Sequence, residues 1–281
     1  MLHTPATEPY RAPFDVLPGR PGNRLLILCD HATNALPPAY GTLGLADSEF
    51  RRHIAYDIGA RWVTHALSEK LGAPAILSGF SRLLIDPNRG PDDPTLVMRL
   101  SDGAVIPGNG RIDEAEVVER TRLYHEPYHA EIKRQIDAML GAGDVPVILS
   151  VHSFTPNWKT VARRWHAALL WDKDPRFARL LIDALEADGD LVVGDNEPYD
   201  GALERDTLYT HGTVRGLPHA LIEIRQDLIS EETQAIAWAE RLARIIPPML
   251  DGPALSQIEY WGSRAHDGRR APPVPADKEQ R

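Results

Sequence analysis

Short apolar runs that end in polar residues recur along this chain, and they limit its possible folds more than any other feature. Residues 23–30 form one such run, and residues 145–151, 167–171 and 220–225 form three more. Apolar runs of this length, without alternating polar residues, are typical of strands that are buried on both faces of a sheet. We therefore predict that these four segments are central strands of one sheet.

Helical patterns separate these strands. The first predicted helix covers residues 49–71, with Asp47 or Ser48 as its cap and Gly72 at its end. Three further helices are predicted over residues 113–140, with a bend at Pro127, over residues 175–187, and over residues 230–246, capped by Ser230. Strands that alternate with helices predict an α/β fold with a central mixed, largely parallel sheet flanked by helices.

A less regular region follows the first helix. Residues 74–78 and 82–85 are predicted as a short pair of strands separated by Gly79. Residues 86–94 contain three prolines and a glycine, which disfavour both helix and strand. We expect a loop there, and loops on a rigid scaffold often carry functional residues.

Composition divides the chain into one domain and two extensions. Residues 1–21 are rich in proline and polar side chains, and we predict a surface extension. Residues 22–262 are predicted to form a single catalytic α/β domain. Residues 263–281 are rich in proline and charge and contain few large apolar side chains, so we predict a disordered tail.

Charge and composition exclude several classes of function. Lys and Arg total 31 against 40 Asp and Glu, which gives a net charge of −9 and argues against a nucleic-acid partner. No apolar run approaches the about 18–20 residues of a membrane span, so no membrane partner is expected. The single cysteine, Cys29, excludes an internal disulfide and predicts a cytoplasmic location. These features leave the oligomeric state open.

Polar residues gather where the apolar runs end. Asp30 and His31 follow the first run, and His152 follows the second. Asp86 comes directly after residues 82–85, and Glu223 lies within the last run. Because ligands of open α/β sheets bind beyond the carboxyl ends of the strands, we expect these side chains to form one site.

The two histidines at strand ends predict a metal site. Either one alone would more often be a hydrogen-bonded structural residue, but His31 and His152 with a carboxylate resemble the ligands of a catalytic zinc. Asp57, within an otherwise apolar segment, is the favoured third ligand, and Asn34 and Asp30 are alternatives. We therefore predict zinc, or another divalent metal, as cofactor.

The catalytic candidates are Glu223 and Arg225. Glu223 lies between two isoleucines, where an unpaired carboxylate is costly, and it is predicted to act as a general base. Arg225 is predicted to stabilise the oxyanion or to hold Glu223, and the alternative is a structural ion pair of Glu223 with an arginine. Cys29 is predicted as a core residue, although a hydrolase that depends on Cys29 is a rival hypothesis.

Three residues are candidates for binding the substrate. Arg82, Asn88 and Arg89 offer guanidinium and amide groups that suit a substrate carboxylate. The alternative for Arg82 is a simple pair with Asp86. Arg163 is a further candidate for lining the entrance to this site, and a solvated position is equally compatible with the sequence.

A second histidine pattern gives weaker evidence for metal binding. His125 and His129 are four residues apart on one predicted helix, which resembles half of a zinc-protease motif, but Pro127 interrupts it. We expect His129 to support a metal ligand rather than to bind the metal. The role of His211 stays open.

Six motifs together resemble the N-formylglutamate amidohydrolase family. They lie in order at residues 29–37, 55–60, 81–89, 127–129, 151–156 and 222–229, and the resemblance extends over residues 24–247. It implies a zinc-carboxypeptidase-like fold and the hydrolysis of N-formyl-L-glutamate to formate and L-glutamate, late in histidine degradation. It also implies that Asn88 and Arg89 hold the substrate carboxylate and that Glu223 occupies the position of the general base.

Two departures from the related motifs affect the third ligand and the substrate. Carboxypeptidase-like enzymes bind zinc through His-x-x-Glu and a later His, whereas this chain has Asn34 at the position of that Glu. Characterised members of the family have Pro-His-Ser-Gly at the first motif, and residues 30–34 here are Asp-His-Ala-Thr-Asn. The chain therefore resembles a sister branch of the family.

The sequence predicts a metal-dependent amidohydrolase that acts on a small N-acyl acidic amino acid, with N-formyl-L-glutamate as the first candidate. One alternative is a deacylase or carboxypeptidase-like hydrolase of another small amide. Another is a protein without metal that binds a small acid.

Overall fold

A seven-stranded sheet forms the centre of the computed structural model, which describes residues 7–265. The strands are β1 (Phe14–Leu17), β2 (Leu25–Cys29), β3 (Ala75–Ser78), β4 (Leu100–Ser101), β5 (Ala104–Val105), β6 (Val147–Phe154), β7 (Asn157–Trp158), β8 (Val161–Ala162), β9 (Ala167–Leu170), β10 (Val193–Asp195) and β11 (His219–Arg225). β4 pairs with β5 and β7 with β8 in two small hairpins, and the other seven strands form the central sheet.

Helices connect the strands. They are α1 (Ala60–Leu71), α2 (Pro107–Gly110), α3 (Glu114–Arg120), α4 (Glu126–Gly141), α5 (Ala178–Ala187), α6 (Thr207–His211) and α7 (Glu232–Leu250). Short 3-10 turns precede or follow several of these elements, and a π-helical turn over Thr121–His125 joins α3 to α4. None of the helices within residues 7–265 combines the length and the apolar character that crossing a membrane requires.

The sheet has a parallel centre and antiparallel margins. Its order is β1-β3-β2-β6-β11-β9-β10, and the four strands β3, β2, β6 and β11 are parallel to one another. β1 is antiparallel to β3, and β9 is antiparallel to β11. The predicted α/β fold with a mixed, largely parallel sheet is therefore confirmed.

Alternate side chains of the central strands enter two apolar cores. One core lies between the sheet and α1, α5 and α7, and it contains Val63, Leu181 and Leu242. The other lies between the sheet and α4 and α6, and it contains Ile132 and Leu208. Both faces are covered, which explains why the central strands lack alternating polar residues.

The predicted strand over residues 82–85 was wrong. These residues form a turn after β3, and Leu83, Leu84 and Ile85 are buried in a third apolar cluster that is built from loops around Phe80. β3 already pairs with β1 on one edge and with β2 on the other. No edge of β3 was left for a further strand.

The predicted helix over residues 49–71 was wrong in its first half. Residues Glu49–Arg51 form a 3-10 turn, and the α-helix begins only at Ala60. Gly59 precedes it with φ +83°, a left-handed conformation that interrupts a helix. Residues 52–59 are therefore irregular, and Asp57 lies on a loop. The predicted end of the helix at Gly72 is confirmed.

Other boundaries differ by smaller amounts. β6 continues through Phe154, so His152 lies within the strand rather than after it. The long helix predicted over residues 113–140 is interrupted by the π-helical turn, and Pro127 lies in the first turn of α4, where its missing N–H is not needed. Glu231 rather than Ser230 caps α7.

Parts of both predicted extensions pack against the domain. β1 lies within residues 1–21 and forms an edge of the sheet. Near the other end, Ser263 is buried, and Arg264 Nη2 lies 2.7 Å from Asp200 Oδ1. The rest of the predicted tail, residues 266–281, lies outside the described residues.

We predict that Gly59→Ala destabilises the protein and weakens any metal bound through Asp57. A Cβ at this position would lie 2.1 Å from the carbonyl oxygen of Ile229, and φ +83° is itself unfavourable for alanine. Steric overlap and backbone strain together are expected to cost about 2–5 kcal/mol of unfolding free energy. Urea denaturation would measure this loss.

Gly143→Ala is the matched control. Gly143 has φ +92°, but a Cβ there would meet nothing within 4 Å. Only the backbone strain of about 1–2 kcal/mol is expected. Equal losses for the two variants would contradict a role for the contact between Gly59 and Ile229.

Candidate active site

His31 follows β2 directly and is held from two sides. Its ring is 2% exposed. Nε2 lies 2.7 Å from Oδ1 of Asp86, and Nδ1 lies 3.3 Å from Oδ2 of Asp57. The two ring nitrogens therefore face two different carboxylates.

His152, on the neighbouring strand β6, repeats this arrangement. Its Nε2 lies 3.0 Å from Oδ2 of Asp30, and its Nδ1 lies 2.8 Å from Oδ2 of Asp57. The rings of His31 and His152 meet edge to face, with their centroids 4.9 Å apart. Both Nδ1 atoms thus converge on the same carboxylate.

The donor set of His31, Asp57 and His152 fits a divalent metal. One ligand atom from each residue lies within 4.8 Å of the other two, and all three residues are buried. Two imidazoles and one carboxylate are a common protein ligand set of catalytic zinc. The carboxylates behind both Nε2 atoms resemble the groups that orient metal-bound histidines, because they fix which nitrogen carries the proton.

The structure distinguishes the three candidates for the third ligand. Asp57 faces both histidines, and its backbone N–H donates to the carbonyl of His31. Asp30 lies on the far side of His152 and accepts further hydrogen bonds from Tyr128, Ser150 and Thr207. Asn34 donates through its amide to the carbonyl of Phe50 and accepts from the N–H of Glu8.

Electrostatics favour a cation at this centre. Burial raises the pKa of Asp57, but the charges and hydrogen bonds of His31 and His152 outweigh it, so its pKa lies well below the ordinary value. Asp30 and Asp86 also have lowered pKa values, because neighbouring histidines, and Arg82 beside Asp86, outweigh their burial. The site therefore concentrates ionised carboxylates in a buried place.

Glu223 is the one buried carboxylate of this group with an unpartnered oxygen. It lies on β11 directly opposite His152 in the parallel register. Its Oε2 is buried and has no hydrogen-bond partner among the described residues. Burial, reinforced by the charge of Asp57, raises the pKa of Glu223 to about 7, although His152 acts against this rise. A carboxyl group in this state can exchange a proton near neutral pH.

Arg225 does not pair with Glu223. Its guanidinium contacts Asp227 at 2.8 Å and donates to the carbonyls of Arg163 and Trp165. The structural ion pair considered as an alternative for these two residues is therefore absent. Through these hydrogen bonds, Arg225 connects the end of β11 to residues 163–165.

Arg82 lies at the centre of the site. It donates to Oδ2 of Asp86 through Nε and Nη2, at 3.2 and 2.6 Å, and its Nη1 lies 3.6 Å from Oδ1 of Asp57. The pair with Asp86 considered above is thus present, and the same guanidinium also borders the predicted metal ligand. Its charge compensates part of the negative charge of the carboxylates.

Asn88 and Arg89 lie in the loop that follows Asp86. Oδ1 of Asn88 accepts from the N–H of Thr207 at 3.1 Å, and Arg89 Nη1 donates to the carbonyl of Asn88 at 2.8 Å. Nη2 of Arg89 has no hydrogen-bond partner within residues 7–265. The loop carries this free donor beside the carboxylate cluster.

Three histidines support the same loop, of which His125 and His211 are buried and His129 is partly exposed. His129 contacts the carbonyl of Pro87 through Nε2 and His211 through Nδ1, both at 2.9 Å, and His125 Nε2 contacts the carbonyl of Arg89. The network assigns neutral rings that donate to both carbonyls. Burial and the neighbouring His125 lower the pKa of His129 to about 4. These histidines therefore fix the loop.

Sequence reasoning missed the roles of Asp30 and Asp86. The sequence placed both aspartates among the polar residues of the site, with Asp30 as a rival ligand and Asp86 as a partner of Arg82, but did not predict that each orients a histidine. The available signals were the position of Asp30 directly after β2 and the position of Asp86 at the start of the proline-rich loop. Cys29 is buried, and burial raises the pKa of its thiol far above the ordinary value, which is unfavourable for a nucleophile.

Comparisons with known proteins identify the family of this chain. The model of the N-formylglutamate amidohydrolase family matches residues 23–230. The crystal structure of gene product Atu2144 from Agrobacterium tumefaciens is 34% identical, with a TM-score of 0.81 over 86% of this chain and 96% of that one. The N-formylglutamate amidohydrolase from Ralstonia eutropha JMP134 shares the fold at 22% identity, with a TM-score of 0.64 over 85% of this chain and 99% of that one. No curated protein matches significantly. The chain belongs to the N-formylglutamate amidohydrolase family.

Proposed function

We propose that this protein is a metal-dependent amidohydrolase of small N-acyl acidic amino acids, with N-formyl-L-glutamate as the first candidate substrate and formate and L-glutamate as products. The observation that carries the proposal is the unpartnered carboxylate oxygen of Glu223, buried opposite His152 beside a His-Asp-His donor set. Family membership and the structural similarity to the N-formylglutamate amidohydrolase from Ralstonia eutropha JMP134 support the choice of substrate.

His31, Asp57 and His152 would hold zinc or another divalent metal. Such an ion, when bound, lowers the pKa of water to about 7 and polarises a carbonyl group. Asp30 and Asp86 hold the imidazole rings from behind, so that both Nδ1 atoms stay directed at the position beside Asp57. This support limits the freedom of both rings before any ligand binds.

Glu223 would act as the general base. Its Oε2 accepts the proton of the attacking water and then delivers it to the nitrogen of the leaving amine. No hydrogen bond within the described chain competes for this oxygen. Its pKa of about 7 is suitable, because the group must both take up and release a proton near neutral pH.

Arg82, Asn88 and Arg89 would orient the substrate carboxylate. Arg89 is the best placed of the three because its Nη2 is free within residues 7–265, while Asn88 holds the loop to Thr207. Arg82 lies closest to the predicted metal ligands and borders the reacting group. Arg225 was expected to stabilise the oxyanion or to hold Glu223. Instead, it donates hydrogen bonds to the backbone of residues 163–165 and positions that segment.

Metal content tests the ligand assignment. We expect the purified protein to contain one equivalent of zinc or another divalent metal, and we expect His152→Ala and Asp57→Ala to lose it, because each removes a ligand. Elemental analysis after dialysis measures this. His65→Ala, on α1 and outside the site, is the control and should retain the metal. Full metal content in the ligand variants would contradict the assignment.

The role of Glu223 is tested by Glu223→Gln. This change keeps the shape but removes the proton acceptor, so we expect kcat to fall by about 10²- to 10⁴-fold while metal content stays unchanged. The control is Glu240→Gln, at an exposed glutamate that pairs with Lys70. Comparable activity in the Glu223 and Glu240 variants would show that another group is the base.

A substrate panel tests the reaction itself. We expect formate release from N-formyl-L-glutamate to be faster than cleavage of N-acetyl-L-glutamate, amidated acids or short peptides with a C-terminal glutamate. Faster cleavage of one of these would indicate the deacylase or carboxypeptidase-like alternative. Binding without cleavage, in a protein that lacks metal after reconstitution, would indicate an acid-binding protein.

A further inference from the structure

Arg163 differs from the other deeply buried arginines. Arg120 pairs with Glu116 at 2.8 Å, and Arg176 pairs with Asp174 at 2.6 Å. Arg163 is also buried, at 8% exposure, but no carboxylate of residues 7–265 lies within ion-pair distance of it. A buried cation without a counter-charge is unfavourable, so its retention requires a reason.

The partners of Arg163 are all neutral. Nη1 donates to the carbonyl and the hydroxyl of Thr155 at 3.2 and 3.1 Å, and Nη2 donates to the hydroxyl of Tyr199 at 2.8 Å. The rings of Phe154, Trp158 and Tyr199 surround the guanidinium, with centroids 5.5, 5.6 and 5.0 Å away. These contacts fix the orientation of the guanidinium and stabilise it in part, but they supply no negative counter-charge.

The position of Arg163 connects it to the proposed active site. Phe154 ends the strand that carries His152, and Thr155 is the next residue. Tyr199 is 39% exposed, and its hydroxyl accepts a hydrogen bond from Nη2 of Arg163. Partial burial, followed by the negative charge of Glu223, raises the pKa of Tyr199, so this residue lies within range of the charge of the proposed general base.

We propose that Arg163 binds a carboxylate of the substrate, at a subsite separate from the loop that carries Asn88 and Arg89. Arg163 packs on Phe154, two residues beyond His152 on β6, whereas Arg89 lies in the loop after Asp86. Two cationic positions from different segments suit a ligand with two carboxylates. The inference rests on the proposed function and deepens it: Arg163 selects N-acyl dicarboxylic amino acids over N-acyl amino acids with one carboxylate. Arg163 thereby acts as a specificity-determining residue.

Binding of glutarate tests this subsite without relying on hydrolysis. Calorimetry would compare glutarate, which has two carboxylates, with butyrate, which has one. We expect the wild-type protein to prefer glutarate, and we expect Arg163→Met to weaken glutarate binding by about 10- to 100-fold and to leave butyrate binding nearly unchanged, because a charge-assisted hydrogen bond is lost. The neighbouring Arg164→Met is the matched control, since Arg164 is exposed and contacts Trp165.

Hydrolysis gives a second readout. Arg163→Met is expected to lower kcat/KM for N-formyl-L-glutamate mainly through KM, while kcat/KM for N-formyl-L-glutamine, which lacks the second charge, changes little. Arg163→Lys should recover part of the preference, because it restores the charge without the planar fork. Urea denaturation of each variant checks its folding. If Arg163→Met does not fold, Tyr199→Phe serves instead and should weaken glutarate binding more than butyrate binding.

The outcomes separate this inference from the proposed function. Dependence of glutarate binding on Arg163 in a protein that cleaves none of the amides would support the subsite and remove the hydrolase. Cleavage of N-formyl-L-glutamate with an unchanged preference in Arg163→Met would support the hydrolase and overturn the subsite. Equal losses for both acids, or no preference for glutarate in the wild-type protein, would also overturn it.

Discussion

The site depends on one carboxylate that two imidazoles share. Asp57 lies between the Nδ1 atoms of His31 and His152, which come from neighbouring strands of the sheet. This contact requires the parallel pairing of β2 with β6 and the irregular path of residues 52–59 before α1. Gly59 makes that path possible, because its left-handed backbone lies against Ile229 with no room for a side chain.

The groups behind the two imidazoles are as important as the imidazoles themselves. Asp86 and Asp30 each fix one ring through Nε2, so neither ring is free to rotate away from Asp57. The loop after Asp86 is in turn held by His125, His129 and His211, whose neutral rings contact its carbonyls or one another. Rigid support of this kind keeps a metal-binding position formed before the ligand arrives.

Two buried ionisable side chains, Glu223 and Arg163, have no oppositely charged group within ion-pair distance in the described chain. Glu223 has an orphaned oxygen beside the donor set, and Arg163 has only neutral partners. Arg176, by contrast, pairs with Asp174. Unpaired buried charges lower stability, and proteins tolerate them where a reaction or a ligand uses them. This is the physical basis for the roles that we propose for Glu223 and Arg163.

The sequence by itself determined the core strands and the convergence of His31, His152 and Glu223, because apolar runs buried on both faces predict parallel strands whose ends share one edge. It also predicted Asp57 as the third ligand, but on a helix. Only the tertiary structure decided that residues 82–85 form no strand, since β1 and β2 occupy both edges of β3. The tertiary structure also decided how most of the charged side chains pair, although the pair of Arg82 with Asp86 was already an alternative from the sequence. Local patterns report which residues are buried, but the hydrogen-bond partners of a buried polar group come from distant segments, and only the folded chain brings these together.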